Sequence, residues 1–307
     1  MKCLVTGATG FVGRELCRQL TAAGDEFVAY SFSGQQLDDG TATTAIDLRR
    51  ESPAPADLAW ADAVFHLAGI AHQQAPDSDY QQVNHQAVVR LAREASEAGV
   101  KQFIFISSVK AMGAVPGETV RGESDAVLPH DAYGLSKWRA ESALNREFGG
   151  GEMSVGIIRP ALVYGPAVKG NLHRLERGVE LGLPRPPADG GRSMIGVSDL
   201  CRLMMTLADE GEAGVSTYIA TDGQVYSMRR IYDALRRVRG KGVGRAWWPR
   251  WLWRGLCMLQ DWRNPVQQQA WLKLFGTELY SNELVLRSTS WRPAQCLEEC
   301  LQQEGSP

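Results

Sequence analysis

The chain has 307 residues, 44% of them hydrophobic and 22% charged, with 33 Lys and Arg against 35 Asp and Glu and a formal net charge of −2. Enough apolar mass is present to build a core, which excludes a disordered chain, and the balanced charge excludes a general polyanion binder. The length fits two domains, or one large α/β domain with an elaboration. The N-terminus lacks the apolar stretch and cleavage site of a signal peptide, and no uncharged apolar run reaches the ~18 residues of a membrane span. Cys3, Cys17, Cys201, Cys257, Cys296 and Cys300 are scattered with no C-x-x-C. No disulfide framework or metal site is expected, and the chain reads as a reduced, cytoplasmic protein.

In chain order, residues 2–6 read as a short buried strand, followed by a glycine-rich turn and a helix over 11–23 that stops at Gly24. Residues 26–32 form the next strand, 44–46 a third short one, and 64–69 another after a loop containing Pro53 and Pro55. A helix over 79–98 carries Val83, Ala87, Val88, Leu91 and Ala95 on one stripe and stops at Gly99. Residues 101–108 read as a strand whose centre, Phe103 to Ile106, is continuously apolar, as in a strand covered on both faces. A helix over 131–148 and a strand over 154–160 follow. This repeated alternation predicts an α/β fold, a Rossmann-type doubly wound parallel sheet. After residue 165 the rhythm breaks into Pro, Gly and Arg, and 194–209 and 216–223 return to the sheet. The expected division is 1–165 plus 194–223 for the nucleotide-binding domain, and 166–193 plus 224–307 for a smaller, mostly C-terminal substrate-binding lobe. Cys296 and Cys300 fall in the last helix as half-buried apolar residues.

The turn Gly7-Ala8-Thr9-Gly10-Phe11-Val12-Gly13 follows a strand and opens a helix. Gly7 permits the tight turn, Gly10 lets the backbone approach a pyrophosphate, and Gly13 lets helix and sheet pack closely. The helix N-terminus then presents free N–H groups and a partial positive charge to phosphates. This context favours dinucleotide binding over a merely structural turn. An acidic residue at the end of the second strand, which would favour NAD, is missing. The strand ends Tyr30-Ser31-Phe32, with no Arg there for a 2′-phosphate, so Ser31 could serve NAD or NADP. Asp47-Leu48 follows the third strand, where an adenine amino group could be met.

Tyr133 and Lys137 are four apart on a helix and share a face. An ammonium beside a phenol favours the phenolate and makes Tyr a usable general base. Ser108 ends the strand before that helix, where open α/β sheets bind ligands, and its hydroxyl can hold the same substrate oxygen.

With these pieces in order, the chain resembles the extended short-chain dehydrogenase/reductases, the NAD-dependent epimerase/dehydratase group that acts on nucleotide sugars. The matching segments are TGATGFVG, Asp47-Leu48, HLAG at 66–69, VNHQAV at 83–88, FIFISSVKAMG at 103–113, YGLSK, RPALVYGP at 159–166, KGN at 169–171, GRSMIGVSDL at 191–200, and the ending SWRPAQCLEECL. The resemblance implies that Gly7, Thr9, Gly10, Phe11, Val12, Leu67, Ala68 and Gly69 line the cofactor and that Pro160 and Val163 approach the nicotinamide. It also implies that Lys137 holds the nicotinamide ribose, and that Asn171 and Arg192 hold a nucleotide diphosphate. Asn84 matches a family asparagine and reads as structural. His66 reads as a backbone-anchored structural histidine. The family's 4,6-dehydratases carry an Asp-Glu pair after the catalytic hydroxyl residue. Here Val109-Lys110 follows Ser108, which disfavours a dehydratase.

The expected activity is a 4-epimerase on a UDP-sugar through a transient 4-keto intermediate, in bacterial surface-polysaccharide sugar synthesis. A UDP-4-keto-6-deoxy-sugar 4-reductase is the alternative, and a non-catalytic cofactor-binding regulator the second. A homodimer is implied by analogy. The tryptophan-rich stretch 247–259 is expected to pack within the substrate lobe on a stripe of Trp248, Leu252, Leu256 and Leu259. An in-plane membrane helix is the competing reading.

Overall fold

The computed structural model describes residues 1–71, 75–115, 119–166, 171–263 and 270–304, with the backbone alone at 171–174 and 303–304. The apolar run KCLVT forms β1 (Lys2–Thr6), and α1 (Phe11–Ala23) closes on Gly24 in the left-handed region, its N–H returning to the Leu20 and Thr21 carbonyls. β2 (Glu26–Ser31) and β3 (Thr44–Ala45) extend the sheet on one side of β1. A helix, α2 (Pro55–Trp60), begins on Pro55 within the stretch expected to be loop. A proline in a first turn costs no hydrogen bond, which is why the two prolines do not exclude it. β4 (Ala63–His66) follows on the other side of β1.

The helix expected at 79–98 is divided. α3 (Asp77–Gln81) and α4 (Ala87–Glu97) are joined by a π-helical turn at Gln82–Gln86, which holds Asn84 wholly buried. β5 (Gln102–Ile106) leads to a short 3-10 turn at Val109–Met112, then β6 (Val120–Arg121). α5 (Ala132–Phe148) starts on Asp131, whose carboxylate accepts the Gly134 N–H. β7 (Ser154–Pro160), β8 (Leu162–Tyr164), α6 (Asn171–Glu180), β9 (Gly191–Gly196), α7 (Val197–Glu210), β10 (Gly214–Ala220) and β11 (Val225–Tyr226) follow. The C-terminal part holds α8 (Met228–Val238), α9 (Arg250–Arg263), α10 (Ala270–Phe275), β12 (Thr277–Tyr280), α11 (Glu283–Ser288) and α12 (Leu297–Glu304).

The main sheet has seven parallel strands in the order β10-β7-β5-β4-β1-β2-β3. Chain order reverses direction at β1 and β4, so a crevice opens beyond their C-terminal ends. Helices cover both faces. Leu16 and Leu20 of α1 and Leu200, Leu203 and Met204 of α7 pack on one. Val88 and Leu91 of α4 and Ala140 and Leu144 of α5 pack on the other.

Residues 194–196 depart from expectation. They lie in β9, which joins a smaller sheet of order β11-β9-β12-β6 with β8 on its flank, and only β10 returns to the main sheet. The chain turns out of the main sheet just after β7, where the Ala161 N–H still bonds the Ala220 carbonyl. Around this small sheet, Tyr164, Tyr226 and Tyr232 are wholly buried, and the Asp222 carboxylate accepts from Tyr164 at 2.9 Å and Tyr226 at 2.6 Å.

The tryptophan-rich helix differs from the expected packing. Its buried residues are Trp253 and Cys257, which pack with Ala270 and Phe275. Trp248 joins that cluster, Leu252 is half-buried, and Leu256 and Leu259 are exposed. Apolar residues stand on both sides of this helix, and the side turned inward is that of Trp253 and Cys257, not the stripe chosen from the sequence.

Candidate active site

Gly7 stands directly after β1 with φ +75°, and a Cβ there would lie 2.6 Å from the Ala68 nitrogen. At Gly13 a Cβ would lie 2.2 Å from the Gly7 carbonyl oxygen. Both contacts need glycine, one for the αL turn and the other for helix-to-turn packing. The first turn of α1 has no side-chain cap and no acidic residue. Its open N–H groups therefore face the crevice beside Ala68 and Gly69, a fitting cradle for a pyrophosphate. Phe11 and Val12 open that helix and pack against the core, while Leu67 follows β4 with its N–H on the Thr6 carbonyl.

At the adenosine end, Ser31 is taken up by the loop. Its hydroxyl pairs with Thr43 at 2.7 Å and accepts the Gly34 N–H at 2.9 Å, and its side chain is buried. Both bonds engage the hydroxyl within the loop, where the sequence expectation had it open to a cofactor. Arg49 is brought to this end of the sheet, its guanidinium 5.9 Å from the exposed Phe32 ring. Arg49 also forks Asp47, with Nε 2.9 Å from Oδ1 and Nη2 2.8 Å from Oδ2, which holds that carboxyl below the usual range. Leu48 is a core residue, and its carbonyl accepts from Arg90.

Ser108, Tyr133 and Lys137 converge beyond the C-terminal ends of β4 and β5. Ser108 caps the 3-10 turn, its Oγ accepting the Lys110 N–H at 3.1 Å. The Tyr133 phenol is pushed up to about 12 by burial, against a lowering hydrogen bond with Ser108. The Tyr80 ring meets the Tyr133 ring edge-on at 6.2 Å. The Lys137 ammonium lies against the end of β5. It donates to the Ile106 carbonyl at 2.7 Å and stands 4.5 Å from the Phe105 ring centroid. Burial lowers it to about 7, with Glu141 opposing. Burial outweighs the Ser108 hydrogen bond at Tyr133, so the phenol stands raised here, where the sequence expectation had Lys137 lowering it. Lys137 instead reaches the cofactor cradle, 3.4 Å from where a Gly69 Cβ would stand.

Asn84 is wholly buried and bonds the chain around it. Its amide clamps both backbone groups of Ile70, at 2.8 and 2.9 Å, and donates to Ser136 at 3.2 Å. His66 is wholly buried too, but a side chain anchors it. Its Nδ1 pairs with the Thr6 hydroxyl at 2.8 Å, and burial, then Lys137, drives its pKa down to about 3.

Pro160 ends β7 opposite Ala220, and Val163 lies half-buried in β8. Arg192 lies in β9 with its Nη2 on the carbonyls of Lys273 at 2.8 Å and Leu274 at 3.3 Å, so this edge of the fork closes α10. Lys169 and Gly170 of the expected KGN motif, and the Asn171 side chain, lie outside the described residues. Sequence reasoning missed Glu278 in β12. It is paired in register with Arg192 and bonds Lys110 at 3.2 Å, linking the Ser108 turn to the small sheet. It also missed Glu141, which lies one turn beyond Lys137 and could have been found by that spacing.

The sequence profile of the NAD dependent epimerase/dehydratase family matches residues 3–220. The chain belongs to this family. A UDP-glucose 4-epimerase of Vibrio cholerae is 32% identical over 311 residues, covering 98% of this chain and 93% of that protein. An N-acetyl-alpha-D-glucosaminyl-diphospho-ditrans,octacis-undecaprenol 4-epimerase of Escherichia coli O157:H7 is 33% identical over 249 residues, 78% of this chain and 73% of that protein. Among solved structures, MoeE5 in complex with UDP-glucose and NAD superposes with a TM-score of 0.77 at 24% identity, over 99% of this chain and 98% of that one. At these identities the structural match establishes the Rossmann-like fold. The protein is an enzyme of this NAD-dependent sugar epimerase/dehydratase family, and the glycine cradle, the uncapped helix and Lys137 fit NAD.

Proposed function

We propose that the protein is a nucleotide-sugar 4-epimerase acting on a UDP-linked sugar through a transient 4-keto intermediate. The observation that carries this reading is the Ser108–Tyr133 pair beside the Lys137 cradle, with Val109 and Lys110 following Ser108 where elimination of water would require carboxylates. The likeness to a 4-epimerase along nearly the whole chain supports it.

NAD, held by the Gly7–Gly13 turn, Ala68, Gly69 and Lys137, supplies the hydride acceptor and donor for the sugar. Tyr133 takes the proton of the sugar 4-hydroxyl and returns it after the intermediate has turned over. Ser108 holds the same oxygen and shares its hydrogen bond with the phenol. Lys137 anchors the nicotinamide ribose. Arg192 and Asn171 are assigned to the diphosphate, with Arg192 supplying the edge of its fork that does not close α10. The enzyme is proposed to serve surface-polysaccharide sugar synthesis in the cytoplasm, with residues 166–193 and 224–307 as the substrate lobe.

The purified enzyme, incubated with UDP-sugars and no added cofactor, is expected to form the 4-epimer detected by NMR. Absence of epimer, with NAD(P)H oxidised only when a UDP-4-keto sugar is supplied, would make the enzyme a reductase.

A further inference from the structure

Helix α9 carries two apolar faces. One is the buried pair Trp253 and Cys257. On the opposite side, Trp251, Gly255, Met258, Leu259 and Trp262 recur at the spacing of a second helical stripe. That stripe meets no other part of the described chain closely enough to be covered. Trp251 is 69% exposed, Met258 72%, Leu259 49% and Trp262 80%. Arg254 and Arg263 are exposed on its two flanks. A soluble surface rarely shows so many large apolar side chains on one helix face without a use.

Charge identifies the occupant. Residues 241–273 hold six basic side chains and one acidic, Asp261, in a chain whose net charge is −2. Asp261 is used internally, accepting the Ala270 N–H at 2.9 Å, and Arg250 is paired with Asp189 at 2.8 Å. The Arg254 guanidinium lies 5.1 Å from the Trp271 ring, fixed at the edge of the stripe. A second copy of the same face would set these arginines against one another, since a two-fold contact brings identical patches together. Indoles on a basic-flanked apolar stripe match the headgroup level of an anionic bilayer, where the rings sit at the acyl boundary and the arginines meet lipid phosphates. The fourteen-residue helix spans about 21 Å at 1.5 Å per residue, short of the ~30 Å hydrocarbon core. No helix among the described residues is long and apolar enough to cross a membrane. The arrangement suits a helix lying in the interface.

We propose that the outward face of α9 docks the enzyme in plane on an anionic lipid surface, through Trp251, Met258, Leu259 and Trp262 with Arg254 and Arg263 at the flanks. This goes beyond the proposed reaction and does not depend on it.

The test uses the full-length protein and vesicles of phosphatidylglycerol with phosphatidylcholine at low salt. The wild type is expected to pellet with them, to pellet less as salt rises, and to lose tryptophan fluorescence to brominated lipid. A Trp251→Ser, Met258→Ser, Trp262→Ser variant is expected to lose at least tenfold in partitioning while keeping its melting temperature and its turnover. Arg254→Gln with Arg263→Gln is expected to lose the preference for anionic over neutral vesicles. The bromolipid quenching of the wild type stands as a readout should the triple variant misfold. A wild type that stays in the supernatant unquenched overturns the proposal. So does equal partitioning by a folded triple variant, or a dimer that the triple variant abolishes without any vesicle binding, which would make the face a contact between copies.

Discussion

Tyr133 and Lys137 share one face of α5, yet the structure sends them to different partners: the phenol to Ser108, the ammonium to the Ile106 carbonyl. Replacing Tyr133 by Phe removes the proposed proton-transfer group and leaves the glycine cradle intact. Turnover is expected to fall by about 10²–10⁴-fold with NAD binding retained, measured by steady-state kinetics and cofactor titration. Unchanged turnover would refute the mechanism. Lys137 offers a pH test. Its folded pKa of about 7 lies below its ordinary 10.5. Below pH 7 folded and unfolded chains both hold the proton, and the folded chain bears the full cost of burying the charge. Between those values the folded chain releases its proton first, so stability rises with pH. The melting temperature of the wild type minus that of Lys137→Met should therefore increase from about pH 6 to about pH 10, other titrations cancelling. A flat difference would refute the shift. Ser108, Tyr133, Lys137 and the glycines were legible because each motif is local in the chain. Glu278 was not, because it reaches the site from a segment with no signature of its own; Arg49 directly follows the Asp47-Leu48 pair, but that spacing does not show its guanidinium turned to Phe32; and Ser31 misled because its partner Thr43 arrives through a loop.

At the scale of elements, α5 is bolted to β7 by a buried ion pair. Arg159 donates Nη2 to Glu141 Oε2 at 2.7 Å and Nη1 to the Glu123 carbonyl at 3.1 Å, while Ser107 donates to the same Glu141 carboxylate. Glu123 in turn accepts the Ile219 N–H of β10 at 2.8 Å. The pair fixes the helix that carries Tyr133 and Lys137 against the centre of the sheet. Removing one partner strands a buried charge, so Glu141→Gln is expected to cost about 3–5 kcal/mol in chemical denaturation. Adding Arg159→Met should recover part of it, and a double variant no more stable than the single would count against the pairing as the cause. Most strands and the long helices of the main sheet were readable in the sequence because buried parallel strands and amphipathic helices repeat over many residues, whereas the six-residue α2 was read as loop. β6, β8, β11 and β12 have only two to four residues each, too few to establish a period. The two-faced α9 defeated the stripe reading for a related reason: with apolar residues nearly all round, periodicity does not say which face is inside.

In the whole molecule, the C-terminal segment returns from the small sheet across the main domain before α12 begins. Trp291 inserts into the core between α1, α7 and the sheet, wholly shielded, with its indole N–H on the Asp199 carbonyl at 3.0 Å. The Asp199 carboxylate accepts the N–H groups of Ala294 at 2.9 Å and Gln295 at 3.1 Å, and pairs with Arg202. The Gln295 carbonyl then accepts from Tyr164, and the Leu297 N–H reaches Tyr226, so a continuous chain of bonds leads from α7 to the buried tyrosines of the lobe. A lobe tied in this way should not melt independently of the sheet. Trp291→Ala leaves a large cavity and an unpaired carbonyl, and is expected to cost about 3–5 kcal/mol. If the two parts unfold as one cooperative unit, the variant should shift a single transition seen identically by far-ultraviolet circular dichroism and by loss of NAD binding. Two separated transitions in the wild type, with only one moved by Trp291→Ala, would show that the small lobe and the nucleotide-binding sheet hold their structure separately, and that the bonds through Asp199 do not couple them.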